Sequence, residues 1–326
     1  MTDSIRTLLE NKNFSKLVCG AGNEDTDSVK KLVYIYAKAG WKIFDISARG
    51  EILSAAKEGL ELAEVKDAHI CVSIGIKGDP HISKAEVNNS VCIKCGNCAK
   101  NCPNGAIYPQ NIYPKNIYPI IDDKKCIGCG ICTKKCPVNA IKMYEKDIDV
   151  KKILPELING GAEILELHVT GNDENDLEKK WQIINECRPL FASICIDREN
   201  FGNKDMVSRI SKLLETRNDY TTIIQADGIP MSGSKDDYKT TLQAAATAEI
   251  IQNANLPAYL VVSGGTNSKT AELCKLCNIY PNGIAIGSWA RKIVRPIISK
   301  TDFWENTESQ MEAVKIAKEL LSKNFD

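Results

Sequence analysis

The chain has 326 residues, 43% of them apolar and 26% charged, a composition that supports a packed core and excludes a disordered polymer. Its 42 basic and 42 acidic residues cancel, so no net basic field favours nucleic acid or anionic lipid. No apolar run reaches the roughly 20 residues that a bilayer-crossing helix needs, and the opening MTDSIRTLLENKNF lacks a signal-peptide core. Both features point to a cytoplasmic chain whose fourteen cysteines stay reduced, so their grouping is expected to reflect metal or redox chemistry.

Strands are predicted over 16–20, 42–47 and 69–76, separated by helical patterns over 27–40 and 51–65. In the second strand Phe44 and Ile46 share one face, leaving Asp45 and Ser47 on the other. In the third, Ile70, Val72 and Ile74 leave Ser73, Gly75 and Lys77 on the opposite face. Lys77 there suits binding of a phosphate or a flavin carbonyl, a Schiff base if burial lowers its pKa, or a structural salt bridge.

Two runs of the form C-x2-C-x2-C-x3-C-P follow: Cys92, Cys95, Cys98 and Cys102, then Cys126, Cys129, Cys132 and Cys136. This is the bacterial two-cluster ferredoxin spacing, in which three thiolates hold one cubane and the fourth crosses to the other. The expected ligand sets are Cys92, Cys95, Cys98 and Cys136 for one [4Fe–4S] cluster, and Cys126, Cys129, Cys132 and Cys102 for the second. Zinc is the alternative for soft thiolates, but zinc motifs usually place cysteines in separated pairs. Between the runs lies a period-five repeat, IYPQN-IYPKN-IYPI, which reads as an extended spacer or a docking loop.

Further strands are predicted over 163–170, 191–197, 221–227, 258–263 and 283–287, with helical patterns over 150–161, 176–187, 206–217, 239–254, 268–277 and 290–298. Residues 1–79 and 146–326 then supply eight strands and eight helices in about 260 residues, near the roughly 250 of a (β/α)8 barrel. The expected fold is α/β: a TIM-like barrel with an α+β ferredoxin-like domain, residues 80–145, inserted after the third strand. That insertion point lies on the face where barrel enzymes keep their active sites.

Alternation along the later strands points Glu166 and His168, Ser193, Cys195 and Asp197, and Gln225 and Asp227 into the barrel. Buried charges need partners or a function, so Glu166, His168, Asp197, Asp227 and Lys77 are the candidate catalytic residues. For Glu166 and His168 the competing reading is a satisfied pair inside the barrel. The seventh strand ends in Ser263-Gly264-Gly265-Thr266-Asn267 and the eighth in Gly287-Ser288, with Arg291 shortly after. Loops at those two positions often bind phosphate through backbone amides, which makes Gly264, Gly265, Asn267, Gly287 and Ser288 candidates for a phosphorylated ligand or FMN. The turn-rich loop over 225–238 reads as a lid or a substrate-contact segment over the barrel mouth. Cys274 and Cys277 read as helix packing, Cys19 and Cys195 as inert buried thiols or nucleophiles, and His69 and His81 have no evident partner.

Residues 85–145 resemble bacterial ferredoxins. Cys19-Gly20-Ala21, the two cysteine runs, Gln225-Ala226-Asp227-Gly228, Pro230-Met231-Ser232-Gly233 and Gly264-Gly265-Thr266-Asn267 together resemble the light-dependent period family of cyanobacterial iron–sulfur proteins. That resemblance implies two [4Fe–4S] clusters and an association with redox sensing that feeds the circadian clock. Two functions are therefore expected. One is an oxidoreductase, fed by a carrier such as ferredoxin or flavodoxin, that passes electrons to a small substrate or flavin at the barrel mouth. The other is a redox-sensing regulator that uses the barrel as a scaffold. Neither calls for nucleic acid or a membrane span.

Overall fold

The computed structural model describes residues 2–79, 82–109, 117–146, 148–228 and 235–325. His81, the middle unit of the Ile-Tyr-Pro repeat and the Pro230-Met231-Ser232-Gly233 segment lie outside these residues. In chain order the elements are α1 (Thr2–Glu10), β1 (Phe14–Val18), α2 (Thr26–Lys38), β2 (Ile43–Ser47), α3 (Gly50–Ala63) and β3 (His69–Gly75). Then come β4 (Ser83–Val87), α4 (Asn97–Lys100), β5 (Ile107–Tyr108), β6 (Ile120–Ile121), α5 (Ile131–Lys135) and β7 (Ile141–Glu145). The remainder comprises α6 (Val150–Asn159), β8 (Ile164–His168), α7 (Glu174–Cys187), β9 (Phe191–Ile196), α8 (Asn203–Leu214), β10 (Thr222–Ala226), α9 (Tyr238–Ala254), β11 (Tyr259–Val262), α10 (Thr270–Leu276), β12 (Gly283–Ile286), α11 (Ser288–Ile298) and α12 (Thr307–Phe325).

β1, β2, β3, β8, β9, β10, β11 and β12 pair in that order, all parallel, and β12 closes on β1. The fold is a TIM-like barrel. Between strands and helices the outward residues form one large core, in which Leu165, Leu167, Ile194, Ile196, Ile224 and Ala226 are all buried. Asp side chains cap α2, α6, α7 and α9: Asp25, Asp149, Asp173 and Asp237 each accept from a first-turn amide.

The inward residues differ by height. At the bottom, Phe14, Ile43, Cys71, Ile164, Phe191, Ile223, Tyr259, Val261 and Ala285 pack with Ile5 and Leu9 of α1 in a second, separate apolar cluster. α1 thus plugs the barrel. His69 lies at this lower end and is partnered there, its Nδ1 2.7 Å from Glu163 Oε2 and its Nε2 2.9 Å from Ser4 Oγ. α12 lies beyond the eighth βα pair and packs on α2, α10 and α11, where Trp41 Nε1 donates to Ala317 O.

The insertion leaves after β3, and β4 pairs antiparallel with β7 from Ser83↔Glu145 to Val87↔Ile141, so its two ends meet at one edge. β5 and β6 pair across the two ends of the repeat region. α4 and α5 each start behind a left-handed glycine, Gly96 (φ 74°) and Gly130 (φ 64°), a backbone turn that side-chain-bearing residues resist.

Truncating the plug should cost the whole barrel. Leu9→Ala removes a fully buried side chain and is expected to lower unfolding free energy by about 2–5 kcal/mol, read as a lower urea midpoint under anaerobic conditions.

Candidate functional site

The cysteines surround two cavities. One is lined by Cys92, Cys95, Cys98 and Cys136, and the other by Cys102, Cys126, Cys129 and Cys132. Each is walled by apolar residues and offers four thiol sulfurs, a donor set that suits an iron–sulfur cubane. Amides already point at several sulfurs: Lys94 N donates to Cys92, Ala106 N to Cys102 and Ala140 N to Cys136.

The second quartet is tied to the barrel by Lys84. Its ammonium, 2% exposed, donates to the carbonyls of Gly22, Asp123 and Cys126, each at 2.7 Å, and lies 3.6 Å from Glu24. Burial pulls the Lys84 pKa down, and Glu24 opposes that. Lys146 also pairs with Glu24, at 2.7 Å, Glu24 N donates to Lys124 O, and Arg295 reaches Pro103 O.

This docking brings Ile127, the neighbour of Cys126, against the barrel mouth. An open cavity there is lined by Ile127 together with Asp45, His168, Gln225, Asp227 and Arg291, and by Gly264, Gly265, Gly287 and Ser288. Arg291 Nη1 donates to Val18 O at 2.5 Å. Burial lowers the Arg291 pKa, while Cys19, Asp45, Tyr36 and Cys129 raise it. Gly287 leaves room for this guanidinium, since a Cβ there would sit 3.1 Å from Nη1. Gly264 is demanded more strictly. Its φ is +70°, and a Cβ would fall 2.0 Å from Asp227 Oδ1 and 2.3 Å from Gly228 N.

Below the mouth lies a buried charge network. Lys16 Nζ bonds to Glu166 Oε2 at 2.6 Å and Gln225 Oε1 at 2.9 Å, and lies 3.6 Å from Asp45. Ser193 and Ser73 both donate to Glu166, and Ser73 also donates to Asp45. His168 bridges Glu166 Oε1 at 3.3 Å and Asp79 Oδ2 at 3.4 Å. Burial alone would raise the Glu166 carboxyl, but Lys16 and His168 hold it below the usual carboxylate range. Burial would lower His168, yet Asp79 and Glu166 push it up to about 9. Asp45 is raised by burial against the pull of Lys16. Burial also lifts Asp197 to about 6, opposed by the Glu199 amide and reinforced by Asp227.

The candidate residues therefore separate. His168 and Asp227 line the mouth with Gly264, Gly265, Gly287 and Ser288, whereas Glu166 sits beneath it as the partner of Lys16. Asp197, 2% exposed, accepts from Glu199 N. Two placements need correction. Lys77 is exposed and outside the barrel, because β3 ends at Gly75 and the Asp79 N to Ile76 O turn breaks the alternation; Asp79 takes the inward place. Asn267 is fully buried but faces away from the mouth, its amide donating to Lys235 O, Asp237 O and Thr240 Oγ1 to clamp the start of α9.

Lys16 and Asp79 are not among the residues that the sequence pattern singles out. Lys16 has a sequence signal, since its neighbour Leu17 packs on the outward face of β1. Asp79, in a loop, has none. Glu166, His168 and Cys195 bring donor atoms within 4.8 Å of one another, but Lys16 already occupies Glu166 and burial keeps the Cys195 thiol protonated, so the trio does not suit a metal ion.

The family profile described as "Light dependent period A C-terminal domain" matches residues 157–323, half of the chain. The chain belongs to this family. Two profiles described as "4Fe-4S dicluster domain" match residues 85–143 and 118–179, so this is an iron–sulfur protein. The protein "Light dependent period A" of Synechococcus elongatus is 28% identical over 298 residues, covering 87% of this chain and 81% of that one. Among solved structures, the carboxyl transferase domain (Y628A) of Rhizobium etli pyruvate carboxylase is similar over 99% of this chain at 11% identity, with a TM-score of 0.47. This chain spans 52% of that chain's length. A truncated 3-deoxy-D-arabino-heptulosonate 7-phosphate synthase of Thermotoga maritima gives 9% identity, 95% and 84% coverage, and a TM-score of 0.46. No helix among the described residues is long and apolar enough to cross a membrane.

Two outcomes are expected. Lys16→Met strands Glu166 and Asp45 without their cation and should cost about 3–5 kcal/mol, seen as a lower urea midpoint. For His168, a folded pKa of about 9 against 6.5 means its stabilisation is complete below 6.5 and is lost as pH rises through 9. The urea midpoint should fall across that window, and His168→Gln should flatten the fall.

Proposed function

We propose that the protein is an iron–sulfur oxidoreductase that passes electrons from its 4Fe–4S module to a small anionic substrate, such as a phosphorylated compound, or to FMN, at the barrel mouth. The observation that carries this reading is Ile127: the loop of the second cysteine quartet forms one wall of the cavity that holds His168, Asp227 and Arg291. Bound [4Fe–4S] clusters supply electrons one at a time, at potentials set by hydrogen bonds and burial. Arg291, the Ser288 hydroxyl and the free amides at the start of α11 hold the anionic group against Gly264, Gly265 and Gly287. His168, protonated at neutral pH, donates a proton to the reduced ligand, and Asp227 orients it. Glu166 acts through His168 and Lys16 as a positioning residue. The electron source is an external carrier such as ferredoxin or flavodoxin.

A second reading, a redox-sensing regulator with the barrel as scaffold, draws on the family membership. Anaerobic holoprotein should contain about eight irons per chain. Release of FMN on acidification would support the flavin form, and its absence would support direct delivery to substrate. In either form, Asp227→Asn combined with His168→Gln should lower methyl-viologen-driven reduction of phosphorylated carbonyl compounds about 100-fold at unchanged iron content. Turnover that survives the double change, or that is absent from the unaltered protein, would overturn the oxidoreductase reading in favour of the sensor.

A further inference from the structure

The two cysteine quartets face different surroundings. Around the second, Cys126 and Cys132 are buried and Ile127 is turned onto the barrel. Around the first, Cys95 is exposed, and apolar side chains stand in the open on the segments that wall its cavity or adjoin its cysteines: Ile93, Ile117 and Val138, with Val91 next to Cys92 and Tyr118 and Ile120 on either side of Pro119, Ile93 being 60% and Ile120 67% exposed. Ile93, Ile117 and Val138 line the cavity of this quartet itself. Nearly half of the large apolar residues exposed among the described residues lie in this module, a concentration that usually marks a contact surface.

Charge sets the kind of partner. Residues 80–145 hold nine lysines and four acidic residues, a surplus of five positive charges, and the rest of the neutral chain carries the matching deficit. Apart from Cys95 the cluster thiols are buried or half-buried, whereas Lys100, Lys124, Lys134, Lys135 and Lys142 are exposed, and Lys100 ends α4, the helix that carries Cys98. Lys94 lines the first quartet's cavity, and its Nζ stands 4.1 Å from the centre of the Tyr118 ring. Of the four acids, Asp123 accepts from Tyr144 OH and Glu145 from Gly78 N.

We propose that this face is the docking surface for an acidic, one-electron carrier protein, which contacts the exposed apolar side chains about the first quartet while its acidic rim meets Lys94 and Lys100. The proposal rests on the reading that electrons enter through the 4Fe–4S module, and it adds the place of entry and the charge of the donor. In the transfer the carrier's centre is oxidised by one electron, which is taken up between Cys92, Cys95, Cys98 and Cys136. No bond or proton moves. A small apolar centre with a charged rim fits the brief encounters of electron transfer, which bury under roughly 1,200 Å² and gain their rate from steering. An exposed cluster ligand at the centre favours a redox protein over a lipid surface.

The test mixes oxidised holoprotein with a reduced acidic [2Fe–2S] ferredoxin in a stopped-flow instrument and follows visible bleaching. The rate should fall about ten-fold from low to physiological salt, and about ten-fold in Ile120→Glu and in Lys100→Glu, neither of which lines a cluster cavity. Methyl viologen radical should reduce the unaltered protein and both variants equally, which shows that the clusters are intact. A rate that is indifferent to salt and to both variants would overturn the docking face. So would retention by phosphatidylglycerol vesicles with no reduction by the ferredoxin. If the ferredoxin behaves as expected while Asp227→Asn with His168→Gln leaves turnover unchanged, the docking face stands and the barrel-mouth reading falls.

Discussion

The junction between redox module and barrel rests on one buried cation. Lys84 gives up its hydration for three carbonyls from two separate loops and the nearby carboxylate of Glu24. An unpaired ammonium at that depth would be costly, so the loops after β1 and around Cys126 are held together by the need to satisfy it. Everything functional in the geometry follows from this fixed seat. Ile127 walls one side of the barrel mouth, Cys129 comes within electrostatic reach of Arg291, and Cys95 of the other quartet is left exposed.

Beneath that seat the barrel interior is graded from apolar to charged. α1 and the lowest ring of side chains form a dry plug, and the next ring carries Lys16, Asp45, Ser73, Glu166, Ser193 and Gln225. A purely structural barrel fills such positions with branched apolar residues. Here the carboxylates are unequal. Glu166 is held ionised by Lys16 and His168, while burial pushes Asp45 and Asp197 toward their neutral forms. Groups whose environments drive them apart in this way give a site both proton donors and fixed charges, the division of labour that acid–base chemistry needs.

Much of this was readable along the chain, for definite reasons. The eight barrel strands show because each alternates a buried outward face with an inward one, and that alternation correctly turns Glu166, His168, Gln225 and Asp227 inward. It fails at Lys77 because a period of two holds only while the strand lasts, and β3 ends at Gly75. It also reaches Lys16, whose neighbour Leu17 packs outward, although a lysine in a short strand attracts less notice than a pair of acids. Asn267 misleads for a different reason: a polar residue after a Gly-Gly turn suits a phosphate loop and a loop clamp equally well. His69 finds Glu163 and Ser4 only because β3, the chain preceding β8, and α1 converge at the bottom of the barrel.

The sequence by itself determined the cluster chemistry and the barrel. Thiolate spacing is a local requirement of the metal centre, and strand and helix periodicity is a local consequence of backbone geometry. Tertiary structure alone decided which quartet faces the mouth, which stays at the surface, and which cation holds the Glu166 carboxylate. Those outcomes depend on contacts between residues 62 apart (Lys84 with Gly22), 150 apart (Lys16 with Glu166) and 273 apart (Arg291 with Val18). Such contacts are worth forming only where closure of the barrel removes the water that would otherwise satisfy each partner.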